Sequence, residues 1–188
     1  IVGSPYYTLN NLLFGRARVF NYDGNNWMQI GSDIIGNNSN DFLGSVVSIS
    51  GNGENIIVSS PYSDENLTNS GKISTLNWDG NDWIYFGGNI YGDRFSEFFG
   101  WSLSSNFLGD RIIIGGFQTP GNYPQPGESQ LLINNNGVFK NEIVSRTENM
   151  SSIGMVKDAV FTDINNDNQE DLVIVGLSLI HISEPTRL

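Results

Sequence analysis

An internal repeat constrains this chain more than any other feature of its sequence. Residues 1–6 (IVGSPY) return at 57–62 as IVSSPY, and residues 21–27 (NYDGNNW) return at 77–83 as NWDGNDW, so both motifs recur 56 positions later. Aligned without a gap, residues 1–60 and 57–116 share 21 identities in 60 positions. A repeat of this kind is usually one supersecondary unit that buries its apolar surface by stacking on its neighbours. The sequence therefore predicts a row of similar modules.

A third copy of the repeat begins at residues 112–116 and then diverges. Gly127 lies 56 positions after Gly71, and residues 131–137 (LLINNNG) resemble the strand and turn of the earlier copies. An insert at 118–126 replaces the shorter polar loops of the first two copies. About three copies of the repeat are therefore expected.

Each copy is predicted to contain four short β-strands. Within one repeat, counted from the first strand, the strand-like runs are 45–50, 55–60, 72–78 and 83–86. Asp79 and Gly80 lie between the last two runs, a signal for a hairpin of type I′, whose two central residues take positive φ. Four strands in a repeat of this length are typical of a β-propeller blade. A β-solenoid usually has much shorter coils, and a stacked sandwich would not repeat so evenly. The prediction is an all-β fold, a partial β-propeller of about three four-stranded blades.

Composition excludes several classes of function. The chain has 20 acidic and 9 basic residues, a net charge of −11, so a phosphate backbone would be repelled and no nucleic acid partner is predicted. It has no cysteine, which excludes disulfides and thiolate metal sites. The longest apolar run, residues 172–180, is too short to cross a bilayer, so no membrane insertion is predicted. No nucleophile–base constellation is present, and the chain is predicted not to be an enzyme.

Residues 163–171 (DINNDNQED) are the one segment whose side chains suggest a metal. Oxygen donors recur at alternate positions, as in a calcium loop, and Gln169 would contribute its backbone carbonyl. The predicted ligands are Asp163, Asn165, Asp167, Gln169 and Asp171. Asn168 stands where such loops usually carry Gly, and asparagine tolerates the left-handed conformation better than most residues. The flanking apolar runs predict strands, so the loop is not an EF-hand, which has helical flanks.

A polar turn of Asn and Asp side chains without metal is the alternative to a calcium site. If Ca²⁺ binds, its expected role is structural, because the ion converts the repulsion between three carboxylates into a clamp between adjacent strands. The corresponding loops of the earlier copies, 50–54 and 106–110, lack the pattern and are predicted to bind no metal.

Two short motifs, taken in their order and spacing, resemble the FG-GAP repeat family. The Phe-Gly element is similar to residues 42–44 and 98–100, and the Gly-Ala-Pro element to residues 3–5, 59–61 and, in degenerate form, 115–117. Members of this family resemble the seven-bladed head of integrin α subunits. The resemblance implies an extracellular or cell-surface β-propeller, with calcium held between the first two strands of some blades.

The resemblance, which covers residues 1–176, implies binding or adhesion rather than catalysis. A protein or glycan ligand is expected on the loop face of the propeller, although the fold itself names none. The alternatives are the propeller of a secreted carbohydrate-active enzyme, with its catalytic residues elsewhere, and a purely structural spacer. The aromatic pairs Trp27/Trp83 and Tyr22/Trp78 are predicted to pack between blades, the alternative being a ring that stacks on sugars.

The end of the chain is expected to be foreign to the domain. Residues 177–187 read LSLIHISEPTR and resemble the conceptual translation of a sequencing adapter. The native domain is therefore predicted to span residues 1–176, and residues 177–188 are not expected to form part of it. His181, the single histidine, lies in this string and carries no functional hypothesis.

Overall fold

A computed structural model describes residues 1–116, 129–135, 138–141 and 155–177, and this part of the chain is all-β. Its strands are β1 (Val2–Ser4), β2 (Thr8–Leu9), β3 (Leu12–Leu13), β4 (Arg16–Tyr22), β5 (Trp27–Ile35), β6 (Val47–Ile49), β7 (Asn55–Ser60), β8 (Lys72–Trp78), β9 (Trp83–Tyr91), β10 (Ser102–Ser105), β11 (Arg111–Gly115), β12 (Ser129–Asn135), β13 (Val138–Asn141), β14 (Met155–Thr162) and β15 (Asp171–Leu177). No helix that could span a membrane occurs among these residues. The predicted insert at 118–126, the register of Gly127 and the tail at 178–188 lie outside the described residues.

Antiparallel pairing joins the strands into four sheets and one short hairpin. Sheet 1 has the order β1-β4-β5, sheet 2 β6-β7-β8-β9, sheet 3 β10-β11-β12-β13 and sheet 4 β14-β15, while β2 and β3 form the hairpin. None of these sheets closes on itself within the described residues. Sheets 2 and 3 confirm the prediction of four antiparallel strands in a repeat.

The strand register repeats with the sequence. Val2 pairs with Arg18 in sheet 1, and the residues 56 positions later, Val58 and Ser74, pair in sheet 2. A further 56 positions on, Ile114 pairs with Gln130 in sheet 3. The side-chain period of a strand is two, so a shared register places equivalent residues on the same face of each sheet.

Two hydrophobic clusters fill the spaces between sheets. The first, between sheets 1 and 2, contains Ala17, Val19, Ile34, Leu43, Ile56, Val58, Leu76 and Trp83. The second, between sheets 2 and 3, contains Ile57, Ile73, Phe99, Ile112, Ile114 and Leu132. Strand β7 supplies both clusters, because its alternate side chains point to opposite faces. Sheet 2 is therefore covered on both faces, and the sheets stack face to face.

Two glycines join the segment before the second long strand of sheets 1 and 2 to the segment that leads into the next sheet. Gly15 and Gly71, which are equivalent in the repeat, form parallel bridges with Leu43 and Phe99. Their φ values are +75° and +88°, and a Cβ on either would lie 2.3 Å from the carbonyl oxygen of its bridge partner. Glycine is required at both positions, since any other residue would strain the backbone and clash with the bridge partner.

The four strands predicted at 45–86 agree with the structure in the middle and differ at the ends. Strands β7 and β8 coincide with the predicted runs 55–60 and 72–78. The first strand is shorter than the predicted 45–50, and the last, β9, continues beyond 86 to Tyr91. Gly87 and Gly88, with φ of +76° and +79°, lie at an irregularity in the β8–β9 register instead of ending the strand.

The turn between β8 and β9 is a hairpin, as predicted, but the expectation of type I′ is wrong. Four residues, 79–82, separate the strands, and Gly80 alone among them has positive φ, at +99°. The Asp79 carboxylate accepts hydrogen bonds from the amides of Asn81 and Asp82, both at 2.8 Å. An Asp side chain that bonds the following amides stabilises the longer loop, which the Asp-Gly pair alone does not reveal.

Candidate functional site

The predicted calcium ligands lie on the exposed loop between β14 and β15. Asp163 accepts hydrogen bonds from two amides of the loop, that of Asp167 at 3.1 Å and that of Asn168 at 2.9 Å. Asp171 accepts the amide of Ile164 at 3.0 Å. The carboxylates at the two ends of the loop thus turn towards its backbone and hold its shape.

The middle of the loop is joined by further polar contacts. The side-chain amide of Asn165 donates to Asp167 at 3.0 Å, and the Asn165 side-chain oxygen accepts the amide of Asp167 at 3.1 Å. Asp167 also accepts the amide of Gln169 at 2.8 Å. Four of the five predicted ligands therefore bond within the loop through side-chain oxygens, and Gln169 does so through its backbone amide.

The backbone of the loop has the predicted left-handed residue. Asn168 has φ of +63°, and Asn166 is also left-handed at +59°. Among the residues that the structure describes, no three His, Asp or Glu side chains lie close enough together to hold a metal ion. Ca²⁺ also accepts amide and backbone carbonyl oxygens, which this loop offers alongside its carboxylates. The calcium site therefore stays a prediction, and the donor chemistry of the loop is compatible with it.

Equivalent loops of neighbouring repeats contact one another at this end of the sheets. Gly51 donates its amide to the carbonyl of Phe107 at 2.7 Å, and Phe107 donates its own amide to the Glu170 carboxylate at 2.8 Å. Gly51, Phe107 and Asp163 occupy the same position in successive repeats, so their loops succeed one another along the stack. Glu170 was not among the predicted ligands, and sequence reasoning missed that its carboxylate bonds to the loop of the preceding repeat.

A second candidate site is a row of five aromatic side chains, here called the aromatic row: Tyr6, Phe42, Tyr62, Phe98 and Trp101. Successive ring centroids are 5.6 Å apart for Tyr6 and Phe42, 5.1 Å for Phe42 and Tyr62, and 5.0 Å for Tyr62 and Phe98. All three pairs are edge-to-face, the arrangement that aromatic rings prefer. The row therefore crosses from the first repeat to the second.

The aromatic row borders an open groove of about 400 Å³. Its lining is Pro5, Tyr6, Phe42, Ser45, Val46, Pro61, Tyr62 and Trp101. None of these residues is charged, although the chain as a whole carries a net charge of −11. Tyr6 is 76% exposed and Trp101 45% exposed, so both ends of the row are available to a ligand.

The repeat itself carries the signal for this row. Tyr6 and Tyr62 end the repeated Ser-Pro-Tyr motif, and Phe42 and Phe98 begin the Phe-x-Gly motif, the members of each pair lying one repeat apart. Trp101 occupies the position of Ser45, so it widens the aromatic surface in one copy only. The sequence showed the motifs, but not that their rings meet between repeats.

The other repeated aromatics pack between sheets where a neighbouring sheet is present. Trp83 is 6% exposed within the first hydrophobic cluster, and Trp78 packs against that cluster. Their counterparts Trp27 and Tyr22 are 70% and 51% exposed. Packing between sheets, as predicted, is therefore confirmed for the second copy.

A buried ion cluster joins the start of β8 and the end of β9 to the loop between β7 and β8 and to the segment before β6. Lys72 is 3% exposed, contacts the Glu65 carboxylate and lies 4.0 Å from that of Asp41. Tyr91 donates its hydroxyl to Glu65 at 2.9 Å. Burial raises the pKa of Asp41, against the opposing effect of its hydrogen bond with Asn38. Because Lys72 compensates nearby carboxylates, the arrangement is typical of a structural cluster rather than a catalytic one.

Glu97 occupies the position of Asp41 in the next repeat and is 1% exposed. One of its oxygens accepts the amides of Asp93 and Arg94, at 2.9 and 3.1 Å, while the other is buried without a hydrogen-bond partner. Burial raises the pKa of Glu97 to about 6. This carboxyl group takes up its proton far more readily than a solvated glutamate does.

No protein-family model matches the chain, and no curated protein is significantly similar.

Proposed function

We propose that the chain is a segment of an FG-GAP-type β-propeller that binds an extracellular protein or glycan and performs no catalysis. The aromatic row is the observation that carries this proposal. Large aromatic side chains that stay exposed at both ends of an uncharged groove are the groups that dominate binding energy at interfaces. Sheets 1, 2 and 3 would be successive blades, and the row would lie on the loops that join them.

The stacking of the sheets supports the propeller part of the proposal. Equivalent strands keep one register over three copies, and each hydrophobic cluster lies between two consecutive sheets. Propeller blades make this kind of contact, each with its two neighbours only. The cell surface or extracellular space is the proposed location, since the resembled family works there.

Calcium is proposed as a structural ligand of the loop between β14 and β15. Asp163, Asn165, Asp167 and Asp171 would supply side-chain oxygens and Gln169 its backbone carbonyl. The four side chains already form hydrogen bonds within one short loop. The ion would supply positive charge that offsets the repulsion between three carboxylates, and it would take no part in chemistry on a substrate.

Binding through the aromatic row is tested by surface plasmon resonance of the 188-residue chain. The immobilised panel would contain purified extracellular-matrix proteins and polysaccharides, which separate the protein and glycan classes of ligand. Tyr6→Ala and Trp101→Ala should each weaken binding by at least about tenfold, which corresponds to about 1.4 kcal/mol.

Phe95→Ala is the matched control, because Phe95 is 64% exposed but does not line the groove. It should leave the affinity unchanged. A ligand whose affinity responds equally to all three substitutions, or to none, would contradict the proposed site.

A further inference from the structure

The two faces of sheet 1 have different surroundings. Its inner face packs on sheet 2 through Ala17, Val19 and Ile34, which are at most 6% exposed. On the opposite face Val2 is 55% exposed and Trp27 70% exposed. Phe20 lies with Val2 and Trp27 along a second open hollow of this face. Large apolar side chains thus line a sheet face that no described residue covers.

The large side chains of this open face have counterparts 56 positions later that are buried or, in the case of Trp78, partly buried. Val2 corresponds to Val58, Phe20 to Leu76, Tyr22 to Trp78 and Trp27 to Trp83. Val58 and Leu76 are both 1% exposed and Trp83 is 6% exposed, and all three belong to the cluster against sheet 1. The same repeat positions are buried wherever a neighbouring sheet of the repeat is present.

One edge of sheet 1 is also open. Among the residues that the structure describes, strand β1 pairs only with β4, whereas its counterparts β7 and β11 each pair on both sides. The missing neighbour corresponds to β6 in sheet 2 and to β10 in sheet 3. An unpaired strand edge is a template for another strand.

Polar contacts across the first hydrophobic cluster indicate which hydrogen bonds the open face could make with a covering sheet. The Trp83 indole donates to the carbonyl of Ile30 at 3.2 Å, and Asp82 accepts the amide of Ser32 at 2.8 Å. The counterparts of Trp83 and Asp82 are Trp27 and Asn26, which can make the same kinds of bond.

The arginines of the open face are already paired, because the Asp33 carboxylate lies between Arg16 and Arg18. Arg18, at the position of Ser74, donates to the Asp33 carboxylate at 2.7 and 2.9 Å. A covering sheet would therefore meet a paired arginine rather than an isolated cation, which would be costly to bury.

We infer that the open face and edge of sheet 1 accept another sheet of this same repeat. That sheet would present the small and β-branched side chains that sheet 1 presents to sheet 2, and a strand like β6 would pair with β1. An unrelated protein or a glycan would explain neither the edge nor the position-by-position match with the buried face of sheet 2. The inference does not depend on what the aromatic row binds.

The test adds the proposed occupant to the intact chain. A second copy of residues 1–56 is placed ahead of Ile1, so that Ile1 follows Ile56 as Ile57 does in the chain itself. Differential scanning calorimetry should show a higher Tm for the extended chain than for the 188-residue chain. Hydrogen exchange of the β1 amides should also be slower, because β1 gains a second partner.

Substitution of the original Trp27 by Ser then distinguishes a covered face from an open one. In the extended chain it should lower the Tm by roughly 6 °C or more, as the loss of a buried tryptophan does in a domain of this size. In the chain without the added copy the shift should be about 1 °C or less, since surface substitutions have small effects. Tyr85→Ser, at a residue 52% exposed on sheet 2, is the control and should shift both chains equally.

Three results would overturn the inference. One is an extended chain that melts no higher than the chain without the added copy, and another is a Trp27→Ser shift of equal size in both. The third is an unextended chain that dimerises through this face and loses dimerisation on Trp27→Ser, because the occupant would then be a second copy. None of these results bears on ligand binding at the aromatic row.

Discussion

Equivalent residues of successive repeats can meet different surroundings, and the buried carboxylates show this most clearly. Asp41 lies 4.0 Å from the ammonium of Lys72, whereas Glu97, its counterpart, has one buried oxygen without a hydrogen-bond partner. An unpaired buried carboxylate is costly in its charged form and much less so when protonated. The two residues occupy the same repeat position, but Asp41 is stabilised by a nearby cation, whereas Glu97 is stabilised by protonation.

Glu97 should therefore make the stability of the fold depend on pH. Its pKa is about 6 in the folded chain, against an ordinary value of 4.5, so the folded state holds more protons between these values. The free energy of unfolding should fall as pH rises from about 4.5 to above 6, by about 2 kcal/mol from this group. Glu97→Gln should remove that fall and leave the variant more stable than the parent above pH 6, as measured by urea unfolding between pH 4.5 and 7.5.

Glu54→Gln is the control for this measurement, because Glu54 is exposed. It should keep the pH dependence of the parent. Parallel curves for the parent and Glu97→Gln would show that Glu97 ionises as an ordinary solvated glutamate.

At the scale of elements, the loop between β14 and β15 combines a tight shape with a concentration of negative charge. Added CaCl₂ should raise the Tm of the chain, because an ion that binds the folded state alone stabilises it by about 2.7 kcal/mol at a hundredfold excess over its Kd. Asp163→Asn and Asp171→Asn should each reduce the calcium-dependent shift, and EDTA should abolish it.

Asp110→Asn is the matched control, since Asp110 lies in the corresponding loop of the preceding repeat, where no calcium is predicted. It should leave the calcium-dependent shift intact. A melting curve that is the same in saturating CaCl₂ and in EDTA would rule out a structural calcium site in this loop.

Local pattern predicted the central elements well and the irregular ones poorly. Strands β7 and β8 follow from runs of β-branched residues bounded by turns, and both predicted boundaries agree with the structure. The last strand was predicted to end at residue 86, yet pairing with β8 carries β9 past Gly87 and Gly88 to Tyr91. Tertiary pairing decides whether a glycine ends a strand or lies within an irregular one, and sequence alone does not contain that pairing.

The two candidate sites also differ in how far they can be predicted from the sequence. The acidic loop is contiguous, so its donor spacing can be read directly from residues 163–171. The aromatic row brings together residues as far apart as Tyr6 and Trp101, and no local pattern shows that their rings lie along one groove. Only the stacking of the repeats places them there.

At the scale of the whole molecule, one relationship underlies both proposals, the stacking of sheets from successive repeats. The repeated register, the two hydrophobic clusters and the contacts between equivalent loops all follow from it. The open face of sheet 1 and the position of the aromatic row follow from it as well. Evidence against the stacking would therefore remove the basis of both proposals.

Disulfide formation between equivalent loops tests the stacking most directly. The chain has no cysteine, so Gly51→Cys and Phe107→Cys can be combined without interfering thiols. The two residues share a backbone hydrogen bond of 2.7 Å, which holds their backbones within reach of a disulfide. Asn25→Cys with Phe107→Cys is the control pair, since Asn25 lies in the β4–β5 turn of sheet 1. In dilute oxidised protein we predict an intramolecular disulfide for Gly51/Phe107 and free thiols for the control, measured by intact mass. Free thiols in both folded variants would contradict the stacking of the sheets.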